Sequence, residues 1–454
     1  MGDAAEQARG FHDHRFPLSN LDLLLPPVHV SVFFCYKKPC RIFSAAETLK
    51  VALAEALVSY NAFAGELVKN SIGEPEILCN NRGVDFVEAV ADVELRELNL
   101  HDPDESIAKL VPKKKHGVLA IQVTQLKCGS IVLGCTFDHR IADAFSMNMF
   151  LVSWAEISRS DVQITSDPSF QRSLLSPRRP LIIDSSIDKM YMPITSLPIQ
   201  QETTNDPDNI LTSRIYYIKA NALKDLLTLA SSSSSKNGYS QRTKLESFSA
   251  FLWKLVAKHT GRDTSSNKNS KMGIVVDGRR RLMDQENNNY FGTSYFNVLS
   301  IPFGGHSTDD LTDKPLSWVA NEVHRFLEKA VTKDHFLNLI DWVETHRPVP
   351  AVSSIYSTGA DDGSAFVVSS GRSFPVTKVD FGWGLPVFGS YHFPWEGSAG
   401  YVMPMPMPSP VDEGDGDWVV YLHLTKGQLK FIAEEASHLL KPIDNDYLKI
   451  NSFF

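Results

Sequence analysis

The sequence predicts a mixed α/β protein built in two halves, and three observations carry that expectation. Its 454 residues suggest two domains or one large double domain. Strand-like and helix-like patterns alternate on both sides of the middle, which suggests α/β layers packed together. Between them, residues 167–208 are rich in Pro, Ser, Asp and Thr with poor periodicity and are expected to form a long crossover. The expected division is 1–166, 167–208 and 209–454.

In the first half, Leu18-Ser-Asn-Leu-Asp22 precedes Val28–Phe34, which has strand composition. Ser44-Ala-Ala-Glu47 is a capping box, and the helix it opens carries Leu49, Leu53 and Leu57 on one face. Ile131, Leu133, Cys135 and Phe137 alternate with Val132, Gly134, Thr136 and Asp138, the period-2 pattern of a half-buried strand. That strand runs into His139. From Ala144 the pattern becomes helical, with Phe145, Met149, Val152, Trp154 and Ile157 as apolar positions.

The second half opens with a strand at Ser213–Ile218, followed by helices over Ala220–Leu229 and Thr243–His259. Ser231–Ser235 and Thr264–Ser270 read as surface loops. Another strand ends at Val275-Val276-Asp277, and a long helix is expected over Leu316–Ala330. Late strands are expected at Ala365–Ser369 and Trp418–Leu424, with Met403–Pro408 and Asp412–Asp417 at the tip between strands. A final helix is expected over Lys426–Leu440.

Composition narrows the function. Hydrophobic residues make up 43% and aromatics 10%, ample for a core. The net charge of −8 is spread along the chain and argues against a nucleic-acid partner. The most basic run, Lys113–His116, is short enough to be a solvated turn. Five cysteines (Cys35, Cys40, Cys79, Cys128, Cys135) form no Cys-x-x-Cys pair, so a reducing compartment is expected. The N-terminus lacks an apolar signal core and no apolar run approaches the length of a membrane span. The expectation is a cytoplasmic protein without a membrane partner.

His139 at a strand end, with Asp143 one turn away, is suited to be a held and oriented base. The spacing is weak by itself, since about one chance match is expected in a chain of this composition. A second match, His306 to Asp310, sits in a Gly/Ser/Thr loop and reads as chance. The chain has no Gly-x-Ser-x-Gly elbow, zinc helix, Walker-type loop or dinucleotide fingerprint. Asp361-Asp362 and Asp412–Asp417 read as solvated loops, so no metal site is expected. Cys135 shares a strand face with His139 but reads as a buried structural thiol. A histidine base without a protein nucleophile suits direct transfer, in which a bound hydroxyl or amine attacks an activated carbonyl such as a thioester.

Leu18-Ser-Asn-Leu-Asp22, His139-Arg-Ile-Ala-Asp143, Asp277-Gly-Arg-Arg-Arg-Leu282, Tyr290-Phe-Gly292 and Asp380-Phe-Gly-Trp-Gly384 occur in one order. In that order and spacing the chain resembles the plant BAHD acyl-CoA-dependent acyltransferases over nearly its whole length. Pro17–Pro27 with Phe33–Tyr36 further resembles the coniferyl-alcohol acyltransferase branch. The resemblance implies two chloramphenicol-acetyltransferase-like domains with a solvent channel between them. Acyl-CoA would be a co-substrate, with no permanently bound cofactor, and a small-molecule alcohol or amine the acceptor. It makes His139 the general base and Asp143 a structural residue paired with Arg279 or Arg281. It makes Asp380, Gly382, Trp383 and Gly384 a structural loop remote from the chemistry, in which glycines and an aromatic plug serve a tight, buried turn. Ser369, Arg372 and Ser19 become candidate contacts for the intermediate or the substrates, and the protein is expected to be a monomer.

The sequence departs from the family pattern in three places. Ala144 follows the aspartate where Gly is commoner. Thr293 stands where Asn is usual, with a second Tyr295-Phe296-Asn297 just beyond. Gly371 falls where some members place a tryptophan, which implies a roomier acyl pocket without that indole donor. The leading expectation is O-acylation of a phenylpropanoid alcohol such as coniferyl alcohol. The alternatives are N-acylation of an amine or alkaloid, which would favour a carboxylate in the acceptor channel, and a non-catalytic ligand-binding member.

Overall fold

A computed structural model describes residues 14–37, 45–159, 168–169, 175–197, 206–231, 242–262, 268–282, 297–357, 362–371, 374–407 and 416–450. The first half contains β1 (His29–Tyr36), α1 (Ala45–Ser59), β2 (Asp85–Ala91), β3 (Leu119–Leu126), β4 (Ile131–Asp138) and α2 (Ala144–Ser158). The second begins with β5 (Leu211–Ile218), α3 (Ala220–Ser231), α4 (Lys244–Arg262), β6 (Asn269–Ile274) and β7 (Phe303–Ser307). It continues through α5 (Leu316–Ala330), α6 (Lys333–His346), β8 (Asp362–Val368), β9 (Phe388–His392), β10 (Gly400–Pro406), β11 (Trp418–Thr425), α7 (Lys426–Glu435) and β12 (Lys441–Pro442). Among the described residues no helix is long and apolar enough to cross a membrane.

The strands form two main sheets, in the orders β9-β1-β4-β3-β2 and β7-β6-β8-β10-β11-β5-β12. The first is antiparallel except for β2 against β3, and the second is parallel only where β8 meets β6 and β10. β9 departs from the expected split at residue 208. It belongs by sequence to the second half, yet it pairs antiparallel with β1 at the edge of the first sheet.

One large core joins the halves, with Phe33, Leu133 and Trp154 packed together with Phe336, Phe388 and Tyr421. A second lies under α4 and α5, where Leu252, Trp253, Val319 and Val323 meet Phe366, Val402 and Leu422. Asp104 ties the parts from between the sheets. Its Oδ1 pairs with His392 Nε2 at 2.9 Å, while Oδ2 accepts from Ser213 N at 2.7 Å and Thr212 Oγ1 at 3.0 Å.

β4 was expected to be half-buried but is buried on both faces. The segment before Lys113 lies close on one side: a Cβ at Gly134 would come within 2.7 Å of Leu110 O, and Thr136 Oγ1 donates to Pro112 O at 2.6 Å. Polar Thr136 therefore reads as solvent-facing in sequence while serving an interior bond. His306 lies on β7 rather than in a loop, with Nε2 3.2 Å from Glu322, while Ser307 caps the short helix that follows. α7 stops at Glu435, because the chain turns at Ala436 so that Lys441–Pro442 can join β5. α6 was not anticipated. Thr332 caps it, and Phe336, Leu339, Ile340 and Val343 face the core behind a polar first turn.

Candidate active site

β4 delivers His139 to the mouth of a cavity between the two sheets. The strand register places Asp138 opposite His29, and His139 N donates to Val28 O at 3.0 Å. Buried Asp138 holds the residue after His139, accepting from Arg140 N, Nε and Nη2 at 3.1, 2.9 and 2.7 Å. The half-buried His139 ring places Nδ1 3.1 Å from Ala142 O. A carbonyl can only accept, so this bond requires the proton on Nδ1 and leaves the Nε2 lone pair available. Asp143 is thus not the group that orients the imidazole, contrary to the reading of His139 and Asp143 as a base and its carboxylate.

Asp143 does two other things. It caps α2, its Oδ1 accepting from Ser146 N and Oγ, both at 2.9 Å. Its Oδ2 lies 2.7 Å from Arg279 Nη1, both side chains being almost wholly buried. This settles the choice between Arg279 and Arg281 in favour of Arg279. Arg281 stands exposed on the same short helix, Arg279–Leu282. Arg279 also donates to Ser146 Oγ at 3.1 Å and to Asp277 Oδ1 at 3.2 Å, and its guanidinium lies over the Phe145 ring. Burial alone would weaken its hold on the proton, but Asp143 and Asp277 more than offset that and raise its pKa.

The cavity is open to solvent and has a volume of about 100 Å³. Its walls are aromatic, with Phe137, Phe145, Tyr356, Phe374, Phe393 and Trp395. His139, Ser369, Ser370, Tyr391 and Tyr401 supply polar groups. Burial pushes the Tyr401 hydroxyl up to about 12 against the opposing hydrogen bond with Ser369, so it stays neutral. Tyr391 OH receives Asn148 Nδ2 at 2.7 Å. Trp395 Nε1 is buried and has no acceptor among the described residues. Cys135 does not line the cavity, and burial pushes its thiol well up. Among the described residues no cluster of metal-ligating side chains occurs.

Ser369 stands in the cavity wall as expected, whereas Ser19 does not. Ser19 caps its own turn, with N and Oγ 2.9 and 2.8 Å from Asp22 Oδ2. Arg372 lies outside the described residues, as do Tyr290-Phe-Gly292, Thr293 and Ser44. The expected roominess at Gly371 is not found, since a Cβ there would come within 2.6 Å of Met405 Cγ and 2.8 Å of the Phe374 ring. Phe374 fills the place an indole would need.

The Asp380–Gly384 loop does not line the cavity, and, contrary to expectation, it is not buried throughout. Asp380 Oδ1 gathers the N–H groups of Gly382, Trp383 and Gly384 at 2.8, 3.0 and 2.9 Å. Gly382 and Gly384 have φ of +89° and +87°, a conformation open to glycine, and both are exposed. Only Phe381 sinks into the core against Trp154, with half-buried Trp383 packed edge-on to Tyr36. The Arg159 guanidinium donates to Asp380 O. Sequence reasoning missed Phe374, Tyr391, Trp395 and Tyr401. They come from β9, β10 and adjoining turns, and no spacing within any one element signals that they converge.

Residues 6–439 match the Transferase family. A hydroxycinnamoyltransferase of Narcissus pseudonarcissus is 29% identical over 445 residues, covering 93% of each chain. A shikimate O-hydroxycinnamoyltransferase of Nicotiana tabacum is 26% identical, covering 82% of this chain and 84% of its own. The fold matches that of F. graminearum TRI101, solved with coenzyme A and deoxynivalenol, with a TM-score of 0.74 at 16% identity over 94% of this chain and 99% of that one. Vinorine synthase matches with a TM-score of 0.67 at 18% identity, covering 96% and 95%.

Proposed function

Because the chain belongs to the Transferase (BAHD) family of acyltransferases, we propose that it transfers an aromatic acyl group from acyl-CoA to the hydroxyl of a phenylpropanoid alcohol, coniferyl alcohol first among them. His139 is the general base of that reaction. The observation that carries this reading is a histidine whose Nδ1 proton is committed to Ala142 O, beside an aromatic-walled cavity that no thiol among the described residues lines. The relatives named as hydroxycinnamoyltransferases support the aromatic acyl donor.

The reaction is a direct displacement in a ternary complex. His139 Nε2 takes the proton of the acceptor hydroxyl as its oxygen attacks the thioester carbonyl. The tetrahedral intermediate collapses, the carbon–sulfur bond breaks, and the CoA thiolate takes the proton back from Nε2. The neutral hydroxyls near Ser369 and the unpaired Trp395 N–H are suited to oxygen atoms of the substrates. Acyl-CoA is then a co-substrate rather than a resident cofactor.

N-acylation is the second reading, supported by relatives such as a putrescine hydroxycinnamoyltransferase of Oryza sativa. Against it, the carboxylates that line the cavity among the described residues, Asp143 and Asp277, both pair with Arg279. The reading carries with it a monomer in the cytosol, and the free thiols of Cys35, Cys79, Cys128 and Cys135 support the reducing compartment. The decisive experiment offers hydroxycinnamoyl-CoA and acetyl-CoA to a panel of alcohols and amines. Turnover of phenylpropanoid alcohols with intersecting initial-rate plots is expected. Exclusive turnover of amines would replace this reading with the second.

A further inference from the structure

The motif Leu18–Asp22 is the sequence signature that neither the cavity nor the Asp143–Arg279 pair explains. Its aspartate is wholly buried at 0% exposure. One carboxylate oxygen, Oδ2, is occupied by Ser19. The other, Oδ1, accepts from Asn297 N at 3.0 Å and from Asn297 Nδ2 at 2.9 Å. The second hydrogen of that same amide goes to Arg140 O at 3.0 Å.

The arrangement has one stable orientation. A carboxylate and a carbonyl accept only, so the Asn297 amide must turn its NH₂ toward both. Flipping it would set a third oxygen against two others and take the side-chain donor away from buried Asp22 Oδ1. Asp22 therefore fixes Asn297, and Asn297 fixes the carbonyl of Arg140. That carbonyl lies within the turn whose two ends hold the imidazole, His139 N on Val28 O and His139 Nδ1 on Ala142 O.

We propose that Asp22 and Asn297 are positioning residues for His139, holding the Arg140 peptide so that Nε2 points at the acceptor hydroxyl. The inference rests on His139 being the base. Loss of the amide donor loosens the Arg140–Ile141 peptide, whose N–H stays anchored by Ile141 N on Asp138 O at 3.0 Å, and a catalytic group displaced by about 1 Å can lose on the order of 10²-fold in rate. Asn297, four residues beyond Thr293, is the asparagine that meets the N-terminal motif.

Asn297→Ala is the first test. A fall in kcat of about ten- to a hundredfold is expected, with KM for both substrates held within about threefold. The double variant with His139→Ala should be no slower than His139→Ala alone, because the loss passes through the imidazole. ¹⁵N spectra of the imidazole should show His139 protonated on Nδ1 in the native protein and a mixture of tautomers in Asn297→Ala. If Asn297→Ala does not fold, Asp22→Asn carries the same measurements with the side-chain volume kept. A variant that melts earlier but keeps native kcat and the Nδ1 tautomer overturns the proposal, as does a loss that multiplies in the double variant. Native activity in His139→Ala would instead sink the base assignment, and the tautomer spectra would still decide whether the pair positions the ring.

Discussion

Replacing His139 with Ala should lower turnover by roughly 10²–10⁴, the loss typical of a positioned general base. Melting temperature and CoA affinity should stay near native, and activity within tenfold of native would contradict the assignment. The Nδ1 bond to Ala142 O makes the imidazole a base without help from a carboxylate, so Asp143 contributes elsewhere. Cys135 gives a second test at this scale. Burial keeps its thiol protonated, and mass spectrometry of the protein held with acyl-CoA alone should show no acyl adduct. An adduct on Cys135 that the acceptor discharges would establish a ping-pong route. Gly371 gives a third. Gly371→Trp should overpack the wall against Met405 and Phe374 and cost about 1–3 kcal/mol. Gly371→Trp with Phe374→Ala should recover much of that stability in thermal melts, whereas an equally unstable pair would show that Phe374 is not what fills the space.

Among the elements, α2 and the Arg279 helix meet through one buried ion pair, and that pair sets the outcome of Asp143→Ala. Losing Asp143 strands a buried guanidinium, which typically costs about 3–5 kcal/mol. Asp277 remains beside Arg279, so the cost should fall at the lower end, with the lost helix cap adding about 1 kcal/mol. Calorimetry should show a clear drop in melting temperature, with activity lost in step. A variant as stable as native but inactive would restore a direct role for Asp143 in the chemistry. Elements with strong local patterns were legible in sequence, as with α2 from Ala144, α5 over Leu316–Ala330 and the strand entering His139. α6 was not, because its polar first turn masks the period and its cap is a lone Thr332. His139 and Ser369 were found from motifs, each within a few residues of chain. Trp395 and Tyr391 were not, because their place in the cavity depends on β9 crossing between halves, which no local pattern encodes.

Across the whole molecule, Asp104 gathers groups from the first half, β5 and β9. Burial alone would raise its pKa, but hydrogen bonds from His392 and Ser213 more than offset that and hold the carboxyl well below the usual range. A carboxyl depressed in the folded state stabilises above its unfolded value, near pH 4, and the contribution fades as pH falls from there toward its folded pKa. Thermal melts should therefore show the native protein losing stability below about pH 4, with a shallower acid limb in Asp104→Asn. Identical slopes would mean that the carboxylate contributes nothing to acid stability. β9 carries a different consequence, for how the protein can be taken apart. Because a strand from beyond residue 380 completes the sheet built by residues 29–138, the halves are stitched rather than merely docked. A fragment ending near residue 208 would expose the naked edge of β1, and such edges recruit foreign strands. Expressed alone, that fragment should self-associate. Supplied with the remaining chain, it should heal by strand exchange, so this enzyme can be split in two only as a complementation pair and not as separable domains.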